Sequence, residues 1–425
     1  HVDGWWGKTA GRLVARPVLT LVAGVVLLGA LALFVPANKP AGFGGETSAP
    51  AGSVTRSGDD AMVKYFPRTA DTATAVVMTF STSLWDSPAT VLKIQHDLKM
   101  TGYFKKVAGP FDQLGFSVSP KTIDGVRTAC GSAALLPAFQ VALPSAAPVA
   151  CRTVPAAAYS AYVATARTLS YDGRTIAFQT SLKAGEGAST AALNAVPTIR
   201  DGVAKVAATF QAADSGLYGF APILSDVSSL SSKDLRLMVP LAALAIGLIL
   251  ALVLRSLIAP LYLIASVVLS YLASLGFAVI VFMKIGGQDG LIYFLPFMLF
   301  LFLLALGEDY NILVMTRIRE EARKRPLKEA VITAIGTTGT TVTSAGLVLA
   351  GTFVVFGVVI SASGGSGSSA FNAVAYGLAA GILMDTFIVR TVLVPTIVVL
   401  LGRWNWWPSK LASASPIEAA AEVDA

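Results

Sequence analysis

The sequence predicts an α-helical membrane protein of six transmembrane helices, with a large α/β domain between the first helix and the second. Hydrophobic residues make up 54% of the 425 residues and charged residues only 13%, about half the charged share of a soluble domain. Each of the apolar runs is long enough, at about 1.5 Å per residue, to cross a hydrocarbon core about 30 Å thick. These runs are residues 18–35, 237–254, 257–283, 291–315, 331–360 and 371–401.

The apolar runs divide the chain into five predicted regions. These are a cytoplasmic interfacial segment at 1–17, a first transmembrane helix at 18–36, an extracytoplasmic α/β domain at 37–236, a five-helix bundle at 237–402 and a cytoplasmic tail at 403–425. The first run is too long for a signal-peptide core, and no convincing Ala-x-Ala site follows it, so we expect it to stay as a membrane helix. The tail is rich in Ala, Ser and Glu, which predicts disorder. The first residue is His1, which favours a chain cut from something longer.

Lys and Arg in the short loops predict the orientation of the helices. The alternate loops are poor in basic residues, since 284–289 has one and 361–369 has none. All the basic loops therefore fall on one side, so both termini are predicted to be cytoplasmic and the large domain to lie outside. Indole rings prefer the interface, where we expect Trp5, Trp6, Trp404, Trp406 and Trp407. The basic residues of the predicted cytoplasmic segments are Lys8, Arg12, Arg16, Arg255, Arg317, Arg319, Arg323, Lys324, Arg325, Lys328, Arg403 and Lys410.

The large domain shows two cycles of a strand followed by a helix. In the first cycle a Thr- and Val-rich strand at 72–80 precedes a helix from Asp86 to Met100, with Ser87 as N-cap and Pro88 in the first turn. The second cycle has a strand at 174–182 and a helix at 189–210. This alternation predicts an α/β sandwich with two related subdomains.

Both cysteines, Cys130 and Cys151, fall in the domain that is predicted to face the oxidising side of the membrane. This placement indicates a disulfide that closes a loop of about 20 residues and stabilises the domain by roughly 3 kcal/mol in the chain-entropy model. The alternative is two small buried thiols.

Four charged residues fall inside apolar runs, where a charge costs at least about 2.5–3.5 kcal/mol and so marks a pathway or a partner. Glu308 and Asp309 lie in the fourth run, and Asp385 and Arg390 in the sixth. Asp309 is the first candidate, because desolvation favours the protonated form of a carboxyl group. Tyr310 beside it supplies a hydroxyl that can donate to a carboxylate on a facing helix.

Glu308 points about 100° away from Asp309 on an α-helix and is a second candidate. The alternative is that both carboxylates begin the cytoplasmic loop, although apolar residues continue after them as far as Met315. Asp385 is predicted either as a relay member or as a structural partner of another span. Arg390 lies about 140° from it on an α-helix, so we expect Arg390 to snorkel or to bond a neighbouring helix rather than to pair with Asp385.

Hydroxyl groups recur on one face of the fifth run. Thr337, Thr341 and Ser344 follow at spacings of four and three residues. This stripe could line a wet path beside Asp309. The alternative is helix packing through small residues, and the two interpretations are compatible.

The order of one span, an exterior domain and five spans resembles half of a transporter of the resistance-nodulation-division (RND) superfamily. The string Gly307-Glu308-Asp309-Tyr310-Asn311 and its continuation to residue 321 are similar to the fourth-span signature of the MMPL branch (mycobacterial membrane protein large). Residues 343–353, 385–390 and the Arg-Trp-Asn-Trp-Trp ending at 403–407 also resemble that branch. The resemblance covers essentially the whole chain. The exterior, porter-like domain is matched mainly by its position between the first and second spans.

The resemblance implies a multi-pass protein of the inner or plasma membrane that uses the proton motive force to export lipids, hydrophobic drugs or other amphiphiles. It places Asp309 and Tyr310 at the proton-relay positions, with protons as the coupling ion and no cofactor or metal. A complete transporter has two such halves, so we expect an N-terminal half or a second copy as partner, besides the bilayer and an amphiphilic substrate. The sequence patterns at the two ends of the chain resemble those of a C-terminal half.

Two other classes of protein are alternatives to a transporter. A sensor or scaffold of the same fold would bind a lipid or escort a protein without transport. An enzyme is disfavoured because the sequence has no nucleophile–base pair, metal-ligand cluster or phosphate loop. The net charge of +7 is explained by basic loops beside membrane spans, so no nucleic-acid partner is predicted.

Overall fold

Six helices in the described part of the computed structural model are long and apolar enough to cross a membrane. They confirm the six predicted runs, and the chain is a multi-pass membrane protein. The structure describes residues 4–42, 54–65, 74–113, 116–130, 149–185, 187, 189–363 and 368–409. Of the tail 403–425 that was predicted to be disordered, residues 410–425, with Lys410, lie outside these residues, and the prediction is wrong for the start of the tail, which lies in the 3₁₀-helix Gly402–Trp406. The six spans are Pro17–Ala37, Phe220–Leu254, Ile258–Ile285, Leu295–Ala322, Leu327–Ala362 and Ser368–Trp406.

The chain divides into a membrane unit, His1–Gly44 with Ser228–Ala425, and a second unit, Gly45–Val227. The helices are α1 (Trp5–Ala15), α2 (Pro17–Ala32), α3 (Val54–Tyr65), α4 (Pro88–Met100), α5 (Pro120–Cys130), α6 (Val149–Arg152), α7 (Ala156–Ala166), α8 (Thr190–Thr209), α9 (Phe220–Leu254), α10 (Ile258–Ala278), α11 (Leu295–Ala322), α12 (Leu327–Ser363), α13 (Ser368–Met384) and α14 (Val394–Leu401). Two π-helices, Val279–Ile285 and Asp385–Leu393, extend α10 and join α13 to α14.

The strands are short and most of them belong to the second unit. They are β1 (Pro40–Ala41), β2 (Thr74–Thr79), β3 (Phe104–Ala108), β4 (Asp112–Gln113), β5 (Phe116–Ser117), β6 (Thr175–Leu182), β7 (Asp214–Gly219) and β8 (Leu291–Ile292). Within the membrane unit, β1 and β8 pair in parallel over two residues each.

The N-terminal segment forms a separate helix that packs on the membrane bundle. Arg16 has non-helical dihedral angles, and Pro17 occupies the first turn of the next helix, so α1 ends where α2 begins. Ala10 and Val14 of α1 are buried. Trp6 covers Gly339 of α12, where an added Cβ would lie 2.8 Å from the indole Cγ. Glycine at this position therefore lets the large ring approach the membrane helix.

The C-terminal tryptophans differ in how far they are buried. Trp404 is 69% exposed and Trp407 is 47% exposed, but Trp406 is only 2% exposed and belongs to the core of the membrane unit. Asn405 is also buried, and its side-chain oxygen accepts a hydrogen bond of 2.8 Å from the hydroxyl of Tyr262 on α10. The 3₁₀-helix Gly402–Trp406 turns these two side chains inward, so part of the aromatic ending stabilises the bundle.

The second unit contains a four-stranded antiparallel sheet with the strand order β3-β6-β2-β7. The unit β2-α4-β3 and the unit β6-α8-β7 interleave in this order, which is the split βαβ arrangement. Both predicted strand-helix cycles are present, but they share one sheet instead of forming two related subdomains. Val76 faces Phe178 across the central strand pair, and both are fully buried.

The predicted strands and helices of the second unit agree with the structure to within about two residues. β2 is described from Thr74 and ends at Thr79, while residues 71–73 lie outside the described chain. The hydroxyl of Ser189 caps α8 by accepting a hydrogen bond of 3.2 Å from the amide of Ala192. Ser87 is the N-cap residue of α4, but its side chain makes no capping hydrogen bond.

The two cysteines are joined in a disulfide in the core of the second unit. Cys130 ends α5, Cys151 lies in α6, and their Cα atoms are 4.5 Å apart. Both residues are buried among apolar and aromatic side chains that include Tyr162. Burial raises the pKa of Tyr162 to about 12, since an ionised phenol is disfavoured away from water.

Candidate functional site

Four polar side chains are buried in the membrane unit where α11 meets the π-helix Asp385–Leu393. Glu308 is 4% exposed, Asn311 1%, Asp385 2% and Arg390 4%. We refer to these four residues as the buried polar cluster. Buried charges are expensive unless they are paired, so the pairing inside this cluster decides its chemistry.

Asp385 and Arg390 form a direct ion pair inside the cluster. The prediction that a separation of five residues keeps them apart is wrong, because the segment is a π-helix rather than an α-helix. In a π-helix the backbone bonds connect residues five apart, and such turns are frequent at functional sites. The hydroxyl of Thr391 likewise reaches back five residues to the carbonyl oxygen of Thr386, at 3.2 Å.

Arg390 also connects the π-helix to α11. Its Nη2 donates a hydrogen bond of 3.0 Å to the backbone carbonyl of Leu306. Its guanidinium carbon lies 4.3 Å from the centre of the Tyr310 ring, a cation–π distance. Arg390 therefore bonds a neighbouring helix, one of the two predicted roles, and does not snorkel. Asp385 has its ionic partner on its own span rather than on another one.

Glu308 and Asp309 point in different directions, although they are adjacent in the sequence. Glu308 is turned into the bundle, whereas Asp309 is exposed on the surface of the membrane unit. Both lie in the middle of α11, which continues to Ala322. The alternative that they begin a cytoplasmic loop is therefore wrong.

The carboxyl group of Glu308 has no hydrogen-bond partner among the described residues, and the same holds for the amide nitrogen of Asn311. The side-chain amide of Asn311 is close enough to act on the carboxyl group of Glu308 as a donor, although its geometry falls short of a full hydrogen bond. Asn311 is the member of the cluster that the sequence reasoning did not select. Its position three residues after Glu308, on the same helix face, is the signal that could have identified it.

Glycines bring the helices close enough to enclose the cluster. At Gly307 of α11 an added Cβ would lie 3.2 Å from Val267 of α10 and 3.8 Å from the Oδ1 atom of Asp385. At Gly346 of α12 an added Cβ would overlap Thr386 of the π-helix. The absence of a side chain at these two positions thus lets α11 pack against α10 and the π-helix, and α12 against the π-helix.

The hydroxyl stripe that was predicted to lie beside Asp309 is on the outside of the membrane unit, as Asp309 is. Thr337, Thr341 and Ser344 are exposed on one face of α12. The hydroxyl of Thr337 donates to the carbonyl oxygen of Thr333 at 3.0 Å, and that of Ser344 to the carbonyl oxygen of Thr341 at 3.0 Å. These hydroxyls satisfy the backbone of their own helix. Within the described ranges, no group of three His, Cys, Asp or Glu residues could hold a metal ion.

Long apolar helices that enclose an ion pair and a further carboxyl group define a multi-pass membrane protein with titratable groups in its bundle. The chain belongs to the MMPL family, whose model matches residues 61–417, within the RND superfamily. This finding confirms the family that the motifs of the fourth and sixth spans indicate.

The chain is similar to several curated proteins over about half of its length. Putative membrane protein ActII-3 of Streptomyces coelicolor is 39% identical over 233 residues, which are 54% of this chain and 31% of that protein. Sulfolipid-1 exporter MmpL8 of Mycobacterium tuberculosis is 39% identical over 241 residues, 56% of this chain and 21% of that protein. Probable transport protein MmpL12 of the same species is 40% identical over 196 residues, 46% of this chain and 16% of that protein. The matched region spans less than one third of each relative.

Proposed function

We propose that this chain is half of a secondary transporter that couples inward proton flow to the export of a lipid or another amphiphile. One observation carries the proposal: Asp309 is exposed in the middle of the membrane helix α11. A carboxylate facing hydrocarbon at this depth is costly. The surface around Asp309 therefore faces protein or water rather than lipid tails.

The partner at this surface is the other half of the transporter or a second copy of the chain. A facing Asp–Tyr pair would place a tyrosine hydroxyl within reach of Asp309, and Tyr310 would serve the partner's carboxylate in the same way. Protonation of Asp309 removes its charge and lets the two halves repack. Each proton that moves down the electrical gradient supplies about 2.3 kcal/mol per 100 mV.

In this proposal both termini are cytoplasmic and the unit Gly45–Val227 lies outside the plasma membrane, where it holds the amphiphile. Basic residues in the short loops support this orientation. The disulfide between Cys130 and Cys151 supports it independently, since disulfides persist on the oxidising side. Lipid as the exported class is supported by membership of the MMPL family and by the name of the relative MmpL8, a sulfolipid-1 exporter.

The test is transport by the complete protein in proteoliposomes with an imposed pH gradient. The probes are a fluorescent lysophospholipid and an acylated sulfated sugar. We expect gradient-dependent movement of at least one probe, and a loss of about 100-fold or more in Asp309→Asn, because general acid–base groups typically contribute at least that factor. The matched control is Asp289→Asn, which changes an exposed carboxylate in a loop and should keep full transport.

Two results would overturn the proposal. One is gradient-dependent transport by Asp309→Asn at the wild-type rate. The other is binding of a probe with no movement under any gradient, which is the behaviour of a sensor or scaffold of the same fold.

A further inference from the structure

The buried polar cluster contains more acid than base. Glu308 and Asp385 supply two carboxyl groups, and Arg390 supplies one guanidinium. The charged groups that act on Glu308 are these two residues and Asp309 on its own helix. Asp385 already holds Arg390 in an ion pair, so the carboxyl group of Glu308 is left without a cation.

An ionised Glu308 would be a charge without compensation. Its side chain is 4% exposed, and the Asn311 amide beside its carboxyl group is neutral, so it does not balance the charge. A carboxylate in such surroundings neutralises by taking up a proton, since burial without a partner is far more costly than protonation. The cluster therefore balances its charge with one proton on Glu308.

Arg390 has unused donors through which it could change the charge balance of the cluster. Its Nη2 donates to Asp385 and to the carbonyl oxygen of Leu306, but its Nε and Nη1 are buried without a hydrogen-bond partner. A guanidinium has five donors in a fixed fork, so a second carboxylate could bind to the unused side. If Asp385 lost its charge, Arg390 would become available to an ionised Glu308. The proton of the cluster thus belongs to the two carboxyl groups jointly, as in other coupled pairs.

We propose that Glu308 is a proton-binding residue carried by this half of the protein alone, and that Asp385, by holding Arg390, keeps Glu308 protonated at neutral pH. The site is distinct from the exposed Asp309. It rests on the proposed function only for the use that transport would make of its proton, because the binding itself needs neither a substrate nor the partner half.

The experiment is infrared spectroscopy of the complete protein in phospholipid nanodiscs at pH 7, which detects the carbonyl stretch of a protonated carboxylic acid. Labelling all glutamates with ¹³C should shift this band in the wild type. Labelling the aspartates should not shift it. Glu321, the other buried glutamate on α11, is held by Arg317 and Arg325 and should contribute no band.

Single substitutions then test which residues of the buried polar cluster determine the protonation of Glu308. Glu308→Gln should abolish the band, and Asp309→Asn should keep it. Asp385→Asn should also abolish it, because the released Arg390 then pairs with an ionised Glu308. A glutamate band that is absent from the wild type, or that survives Glu308→Gln, would overturn the proposal. A band that persists in Asp385→Asn would overturn the role given to Arg390.

The isotope result needs no substitution, so an absent glutamate band overturns the proposal even if a variant fails to fold, and Glu308→Gln is needed only to assign a band that is present. It is also independent of transport. A glutamate band with no gradient-dependent export would contradict the proposed transporter and support the proton site at Glu308. Gradient-dependent export without the band would support the transporter and contradict the proton site.

Discussion

Glu308 and Glu321 are two buried glutamates on the same helix, and they differ in their partners. Glu321 is 5% exposed near the end of α11, where Arg317 lies 3.0 Å from its Oε1 and Arg325 lies 3.0 Å from its Oε2. Glu308 is equally buried in the middle of α11 and has no cation of its own, because Asp385 occupies Arg390. The difference shows that burial alone does not give a carboxyl group its role. A buried glutamate with two arginines fixes a helix end, whereas a buried glutamate without a cation is the one that we propose to bind a proton.

Removing the cation of the buried polar cluster should have the largest effect on stability. Arg390→Leu leaves Asp385 and Glu308 buried with no positive charge, and breaking a buried pair in this way costs about 3–5 kcal/mol. We expect that loss in the free energy of unfolding, measured by denaturant titration in mixed micelles.

The matched control for that variant is Arg325→Leu. The side chain of Arg325 is 39% exposed, and water screens its ion pair, so the loss should stay within about 1 kcal/mol. Equal losses in the two variants would show that the buried polar cluster is better hydrated than its burial indicates.

A second variant disturbs the helix contact beside the ion pair. Gly346→Ala places a Cβ against Thr386 of the π-helix, and overpacking of this kind costs about 1–3 kcal/mol. Gly351→Ala on the same helix meets nothing within 4 Å and should be neutral or slightly stabilising, since alanine favours a helix over glycine. Thermal unfolding of the two variants measures the difference, and an unchanged melting temperature in Gly346→Ala would contradict the close approach of α12.

Direct substitution of the two glutamates sharpens the comparison. Glu321→Gln removes the charge that holds Arg317 and Arg325, and we expect a loss of about 1 kcal/mol that shrinks at high salt. Glu308→Gln replaces a protonated acid by a neutral group of the same shape, so its stability should stay within about 0.5 kcal/mol of the wild type. The same denaturant titration at two salt concentrations checks both. A larger loss in Glu308→Gln than in Glu321→Gln would reverse the assignment.

The second unit offers the same comparison with hydroxyl groups, at the smallest expected effect. Ser189 makes a capping hydrogen bond to Ala192, and Ser87 occupies the equivalent position of α4 without one. Ser189→Ala should destabilise α8 by about 1 kcal/mol, whereas Ser87→Ala should change little. Hydrogen exchange of the first-turn amides reports each helix separately, and equal effects would show that the hydroxyl of Ser87 also caps its helix.

Sequence reasoning succeeded where the signal is local. The six spans follow from uninterrupted apolar runs, and the strands and helices of the second unit follow from residue type and spacing. It failed where neighbours decide the outcome. The layout of the sheet needed the pairing of β2 with β6, which are far apart in the chain, and the burial of Trp406 needed the turn after α14.

The candidate site was found only in part from the sequence. Glu308, Asp309, Asp385 and Arg390 were selected because charged residues are rare inside apolar runs. Their pairing was predicted from α-helical angles, and the π-helix changed those angles. Which of Glu308 and Asp309 lies inside the bundle could not be read from the spacing, since either face of α11 could be the packed one.

The sequence by itself determined that the chain is a multi-pass membrane protein, since the number of apolar residues in each run settles whether a helix can span hydrocarbon. It also located the four ionisable residues that fall within those apolar runs. Only the tertiary structure decided that Arg390 pairs with Asp385 and that Glu308 is left without a cation. Pairing depends on backbone hydrogen bonding and helix rotation, and these are set by contacts with other helices rather than by neighbouring residues in the chain.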